Sequence, residues 1–244
     1  MIGHVVETGS TNADLLSRAA EGLVEGSALV ADHQTAGRGR QARRFFDEPG
    51  NAMLLSALLR PPSTVAPVLP FVAGHAVVDA VDALVGRGLV ALKWPNDVLV
   101  PSLGERKLAG ILTEATTRVG EGDPSPLAVV IGIGLNLRWS GSPPDEVAAR
   151  SATVAELGAD LERWDMVRAV LTALDRWYDR ALVSPVGVVD AYRERCLTLG
   201  RRVRLETPGG VVEGTATSVA DDGALVVDTA DGPRTVTAGD AHHL

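Results

Sequence analysis

Four short segments of this 244-residue chain carry side chains that could do chemistry together. The first, Gln34 to Arg44, reads QTAGRGRQARR and places Arg38, Arg40, Arg43 and Arg44 within seven positions. Arginine is a planar, permanently charged donor suited to carboxylate and phosphate, and glycine lets backbone approach a ligand closely. Such a loop suits a site that holds an acid beside a phosphate. The GxxxxGK[ST] spacing of a phosphate loop is missing, and Ala42 stands where a GxGxxG fingerprint needs its third glycine. Composition alone leaves an exposed, solvated basic loop equally open.

The second segment is Lys93 to Asp97, KWPND. Pro95 biases Trp94 toward an extended backbone, and Asn96 and Asp97 favour a tight turn. Lys93 is a candidate anion ligand, although a turn with a flanking surface lysine fits the same residues. The third segment, Arg106 to Glu114, reads RKLAGILTE. Lys107 opens an apolar strand and could reach into a cleft at the sheet's end, or snorkel to water. Gly110, inside that strand, marks close approach of a ligand or another backbone. The fourth segment is Val129 to Leu137, VVIGIGLNL. Gly132 and Gly134 thin it, and Asn136 ends it with a group that both donates and accepts. Tight packing in a core strand would explain the same glycines. The five histidines show no zinc spacing, so no metal site is expected among protein ligands alone, and no GxSxG nucleophile elbow occurs.

Alternating helical and extended periodicity predicts the elements that must position these groups. Strands are expected at Ile2 to Glu7, Ser27 to Thr35, Ala52 to Leu59, Leu89 to Leu92, Val98 to Val100, Leu108 to Ala115 and Leu127 to Leu137. Ser10-Thr11-Asn12 offers N-cap residues to a helix with Leu15, Leu16, Ala19, Ala20 and Leu23 on one face. Further helices are expected at Leu69 to Val85, Val167 to Val183 and Gly187 to Leu197. Glu121 to Pro126 reads as a turn and Ser140 to Pro144 as a loop. From Gly200 the character changes to short apolar segments divided by Pro208-Gly209-Gly210, Asp221-Asp222-Gly223 and Asp231-Gly232, which are hairpin signals. The division expected is a larger domain over 1–198 and a small β-barrel over 199–244.

Composition bounds the function. With 45% apolar and 22% charged residues the chain can bury a substantial core. A net charge of −8 argues against DNA as the main partner, because phosphate neutralisation dominates such affinity. Cys196 is the single cysteine, which excludes an internal disulfide. Membrane helices need ~20 apolar residues, and the best candidate, Pro70 to Gly86, is interrupted by His75, Asp79 and Asp82. The N-terminus lacks the pattern of a signal peptide. A cytoplasmic protein with no membrane association is expected.

Read jointly, GRGR, KWPND, RKLAGILTE and GIGLN, in this order and preceded by Ser10-Thr11-Asn12, closely resemble the biotin–protein ligases. The resemblance spans the whole chain, including the β-rich tail. It implies an α+β fold: a mixed β-sheet flanked by helices, related to class II aminoacyl-tRNA synthetases, plus a small C-terminal SH3-like barrel. It also implies a reaction in which biotin and ATP, with Mg2+, form biotinyl-adenylate, which then modifies a lysine of a biotin carboxyl carrier domain. Carried over by position, Ser10, Thr11, Asn12 and Gln34 would hold the ring end of biotin, with Gly110 beside it. Gly37, Arg38 and Arg40 would close over biotin and phosphate. Lys93 and Lys107 would contact carboxylate or phosphate. Arg43, Phe45, Asn96 and Asn136 would lie near the nucleotide, and Asp97 near the acceptor lysine. A monomer or a homodimer is compatible with the family.

The chain departs from the family in two places. Ala42 and Phe45 replace the loop's usual glycine and tryptophan, and, with Leu244 as the last residue, the contact made by an arginine that many members carry near the nucleotide is expected to be missing. The STN signature at residue 10 is expected to leave no room for an N-terminal DNA-binding arm. Residues 37 to 50 are expected to be poorly ordered without ligand. A lipoate or octanoyl ligase of the same fold, or a non-catalytic biotin sensor, are the competing readings.

Overall fold

The structure is a computed structural model that describes residues 1–39, 49–116 and 128–244. The chain begins with β1 (Ile2–Thr8), α1 (Thr11–Ala20), β2 (Ala28–Gln34) and β3 (Ala52–Leu59). It continues with α2 (Leu69–Leu84), the short hairpin β4 (Ala91–Lys93) and β5 (Asp97–Val100), and the long strands β6 (Arg106–Thr116) and β7 (Ala128–Asn136). Helices α3 (Asp145–Arg150), α4 (Arg163–Val183) and α5 (Pro185–Arg195) lead to the C-terminal strands. These are β8 (Arg202–Thr207), β9 (Gly210–Val219), β10 (Leu225–Thr229), β11 (Gly232–Val236) and β12 (Asp240–His243). The turn expected at Glu121 to Pro126 lies outside the described residues.

The first seven strands form one sheet in the order β1-β2-β3-β7-β6-β5-β4. Only β1 and β2 run parallel; the other neighbours are antiparallel, so the sheet is mixed as expected. Residues alternate between its faces. Met53, Leu55, Ile111, Ile131 and Ile133 point to one side, where they share a core with Val72, Ala76 and Val77 of α2 and Val167, Val170 and Leu174 of α4. The opposite face carries α1 on Leu29, Leu58 and Val130, through Leu15 and Ala19. The remainder of that face floors a cleft.

Helix α2 and the short turn before it, Ala66–Leu84, are long and apolar enough to cross a membrane by length and composition. The sequence reading had discounted this stretch for its three polar residues. Its apolarity is spent on packing: most of it is buried, and His75 is wholly enclosed, stacked on Trp177 at 4.0 Å between ring centroids.

The last five strands form an antiparallel sheet in the order β11-β10-β9-β8-β12. All three expected hairpin turns fall between its strands. The sheet is compatible with the SH3-like architecture expected, but β11 and β12 are its two edges and their pairing does not close it into a barrel. It is fastened to the rest of the chain through Trp94. The Trp94 backbone N–H donates to Thr198 Oγ1 (3.0 Å) and its indole N–H donates to the Gly223 carbonyl (3.0 Å). Residues Ser140 to Pro144 form the expected loop, and helix α3, which follows it, has no counterpart among the expected elements. Its apolar content is too low to announce it: none of its six residues is buried.

Candidate active site

The cleft has a volume of about 440 Å³ and is floored by one face of β3, β6 and β7. Strand register orders its floor. Leu54, Gly134 and Gly110 form one row across the three strands, and Ser56, Gly132 and Leu112 form the next. The rows are two residues apart, about 7 Å along the strands.

Each row holds a glycine whose missing Cβ makes room for a polar side chain. A Cβ on Gly132 would stand 2.4 Å from Asn12 Oδ1. A Cβ on Gly110 would stand 2.7 Å from Lys107 Nζ. The sequence reading had expected a ligand or another backbone at Gly110; the close approach is made by the lysine three residues earlier in the same strand. At the row of Ser56, Gly132 and Leu112, Asn12 Nδ2 donates to Glu114 Oε2 (2.8 Å) and to the Leu112 carbonyl (3.2 Å). Ser56, fully buried, lies 2.7 Å from Thr11 Oγ1 and 2.6 Å from Asn12 Oδ1, and its single proton is shared between them. The Thr11 hydroxyl and backbone N–H both donate to Gln34 Oε1 (3.0 and 2.8 Å). Gly37 shoulders against Gln34, with an added Cβ 3.1 Å from its Nε2. Ser10 lines the cleft beside this network and occupies the N-cap position of α1 without a side-chain capping bond.

This end is therefore neutral apart from Glu114, and densely hydrogen-bonded. The other end is cationic. Lys107 Nζ is paired with Asp97 Oδ1 at 2.6 Å, and Arg38 and Lys93 line the same cleft. Burial lowers the pKa of Lys93 below the ordinary lysine value; Lys107 lowers it further, while Asp97, Asp240 and Glu105 oppose the shift. A lysine whose charge is strained in this way gains most from an arriving anion.

Two asparagines expected near a nucleotide do line the cleft, but their amide N–H groups are already committed. Asn96 Nδ2 donates to the Ile111 carbonyl (2.7 Å), locking the KWPND turn to β6. Asn136 Nδ2 donates to the carbonyls of Ala152 (3.1 Å) and Lys107 (3.3 Å). Each still offers a ligand its side-chain oxygen. The Trp94–Pro95 peptide is cis. Arg40, Arg43 and Phe45, with the departures at Ala42 and most of the loop expected to be ligand-ordered, lie outside the described residues.

Several cleft residues were not foreseen. Ser56 had a signal in the sequence, as the single polar residue in an otherwise apolar, fully buried strand. Glu114 closes the RKLAGILTE segment already singled out. Trp139, Val147, Arg150 and Ser151, from β7's end through α3, and Asp240, Ala241 and His242, from β12, also line the cleft. Nothing local announces these; a bridge between Lys107 and Ser151 and the pairing of β12 with β8 bring them there. Among the described residues no group of three His, Cys, Asp or Glu side chains gathers to hold a metal.

Comparison with known proteins agrees with this geometry. The model of the biotin/lipoate A/B protein ligase family matches residues 4–136, and that of the biotin protein ligase C terminal domain matches residues 198–244. The biotin–[acetyl-CoA-carboxylase] ligase of Mycobacterium tuberculosis is 39% identical, over 98% of this chain and 88% of that protein. The enzyme of the same description from Paracoccus denitrificans is 32% identical, over 97% and 98%. Among solved structures, the biotin protein ligase of Aquifex aeolicus in complex with biotin and ATP superposes with a TM-score of 0.80 at 27% identity, covering 100% of this chain and 98% of that one. The chain belongs to the biotin protein ligase family.

Proposed function

We propose that this chain activates biotin with ATP as biotinyl-5'-adenylate and passes the biotinyl group to a lysine of a biotin carboxyl carrier domain in a biotin-dependent carboxylase. The observation that carries the reading is the polarity of the cleft. Its neutral hydrogen-bonding end, at Ser10, Thr11, Asn12 and Gln34, suits the ureido ring of biotin. Its charged end, at Lys93 and Lys107, suits a carboxylate meeting a phosphate, and Arg38 lines the same cleft.

A carboxylate oxygen attacks the α-phosphorus, the bond to the bridging oxygen breaks, and pyrophosphate leaves. Two anions must meet, so the step needs cations held in place before charge develops. Lys107, braced by Asp97 and seated on Gly110, is the group best fixed for this role. Lys93 and Arg38 add charge beside it, and Gly37 and Arg40 belong to the loop that would close over the product and exclude water. Arg43, Phe45, Asn96 and Asn136 are assigned to the nucleotide. In the second step the acceptor amine attacks the acyl carbon, AMP leaves with the C–O bond, and the amine proton passes to solvent. Asp97 is assigned to the approach of that amine.

Mg2+ fits this cleft as a companion of ATP, since magnesium is ordinarily held by one or two carboxylates plus substrate phosphates rather than by a full protein cage. When bound it would neutralise phosphate charge. The carboxylates that line the cleft, Asp97, Glu146 and Asp240, are the side chains that could hold it. We further propose a catalytic domain over 1–198 and a C-terminal domain over 199–244, a division supported by the family match over 198–244. The protein is proposed to act in the cytoplasm as a monomer or homodimer, without DNA or membrane as a partner.

Incubation of the chain with biotin, labelled ATP, Mg2+ and a carrier domain tests the reading. Labelled adenylate and biotinylated carrier are expected. Pyrophosphate exchange that responds to lipoate and not to biotin would move the assignment to a lipoate ligase. Tight biotin binding without turnover would make the chain a sensor.

A further inference from the structure

Lys93 and Lys107 belong to different segments, and one hydrogen-bonded chain from the C-terminal sheet reaches both. His243, in β12, faces Glu105 Oε2 through Nδ1 (2.9 Å) and Thr198 Oγ1 through Nε2 (3.2 Å). The same Thr198 Oγ1 accepts the backbone N–H of Trp94, the neighbour of Lys93 (3.0 Å). Glu105 stands two residues before Lys107 and is also paired with Arg201 at 2.6 Å. Proton positions follow from the donors. With Trp94 N–H donating to Thr198, the threonine hydroxyl is free to donate to His243 Nε2, which leaves Nδ1–H to donate to the Glu105 carboxylate.

Two features show why Lys107 needs such an anchor. The ladder between β5 and β6 slips between Val98 and Leu99, so Lys107 enters its strand across an irregularity rather than a regular register. Glu105 itself has a φ of 60°, a left-handed conformation uncommon for a residue with a side chain, and such conformations persist when surrounding contacts over-determine them. The Glu105 side chain contacts His243 and Arg201, and its backbone N–H donates to the Val100 carbonyl (3.1 Å). His243 is well enclosed, with 11% of its side chain exposed, so the link is shielded from water.

We propose that His243 is a positioning residue for both site lysines, holding the entry of β6 through Glu105 and the KWPND turn through Thr198 and Trp94. It touches no substrate itself. The C-terminal sheet thereby contributes to the first chemical step by fixing where two cations stand, beyond the β12 residues that line the cleft. This inference rests on the adenylating reading of the site for its kinetic arm alone.

The test compares His243→Ala, His243→Gln, Glu105→Gln and the double variant His243→Ala/Glu105→Gln in the full chain. Misplacing a reacting group by a fraction of an ångström to an ångström costs on the order of 10- to 100-fold, so kcat for biotinyl-adenylate formation is expected to fall by about that factor in His243→Ala. KM for biotin should stay near its original value, because the ring-end network is untouched. His243→Gln, which keeps a donor for Glu105, should recover most of the loss. The double variant should be no worse than His243→Ala, as for residues acting through one link. A second readout is independent of turnover: reductive methylation of Lys93, followed by mass spectrometry, should speed up several-fold in His243→Ala and not in His243→Gln. Unchanged kcat and unchanged Lys93 labelling in His243→Ala would overturn the proposal. So would a loss that His243→Gln fails to recover and that tracks a fall in melting temperature. If the unsubstituted chain forms no adenylate, the assigned function fails and the labelling arm alone decides the positioning role.

Discussion

The ammonium of Lys107 occupies the space that a Cβ on Gly110 would need, 2.7 Å from where that atom would sit, while remaining 2.6 Å from Asp97. The glycine is therefore part of the lysine's seat. Gly110→Ala should fold, because the atom displaced is the tip of a flexible side chain. Adenylate formation should fall by roughly 100-fold, the scale expected for a misplaced catalytic group. Lys107→Ala should lose adenylation with the fold retained, and adding Gly110→Ala to it should cost nothing more. Steady-state pyrophosphate release with a melting curve for each variant checks this; normal adenylation by Lys107→Ala would refute the role.

Ser56 supplies one proton to the network that orders Thr11 and Asn12. Removing a fully buried hydroxyl whose partners stay behind costs about 1–3 kcal/mol. Ser56→Ala should therefore lower stability by that order and raise KM for biotin, leaving KM for ATP unaffected. Gly132→Ala should do more damage, since its new Cβ would lie 2.4 Å from the Asn12 amide, which is held on three sides. Isothermal titration with biotin alone separates this effect from any on the nucleotide. Equal losses toward both substrates would contradict the assignment of this end to biotin.

Trp94 ties the KWPND turn to the C-terminal sheet through its indole N–H. Trp94→Phe keeps the ring and leaves the Gly223 carbonyl without that donor, at a cost of ~1 kcal/mol. Chemical denaturation should register the loss as a lower midpoint at an unchanged slope. A slope that changes instead would mean that the two parts of the chain had uncoupled.

His75 gives the fold a pH dependence unrelated to the site. Burial is the main cause that lowers its pKa to about 4 from the ordinary 6.5; Arg195 and Arg180 lower it further, while the Val188 carbonyl and Asp79 oppose the shift. Between those two pH values the unfolded chain binds a proton that the native chain refuses. Stability should therefore be unaffected above pH 6.5 and fall as the pH drops toward 4, by up to ~3 kcal/mol. The lowered carboxylates Asp32, Asp79, Glu105 and Glu156 act in the same sense at lower pH: their contribution is present above the ordinary carboxylate pKa and is lost as pH falls through their depressed values. Thermal melts of the chain and of His75→Phe at pH 7, 6 and 5 should diverge as the pH falls. Parallel curves would show that His75 is not the group responsible.

The amino-acid sequence by itself determined the strands, the long helices and the segments that carry the chemistry. Alternation in Ala128–Asn136, the apolar run Ala52–Leu59 and the Gly and Asp turns after Gly200 are local signals, set by side-chain periodicity and backbone freedom. It also singled out Lys93, Lys107, Arg38 and Asn136, which the fold brings to one cleft. Tertiary structure decided what each of them does. Whether Gly110 faces a ligand or a lysine depends on the fold of one side chain across the strand, and that follows from Asp97 arriving on the neighbouring strand. Asn136 and Asn96 spend their amide protons on the carbonyls of Ala152, Lys107 and Ile111, partners set by packing and not by sequence distance. The part played by β12 and α3 was decided at the same level. Asp240 and His242 reach the cleft only because β12 pairs with β8 and the Trp94 indole fastens that sheet beside the KWPND turn, more than a hundred positions away in the chain.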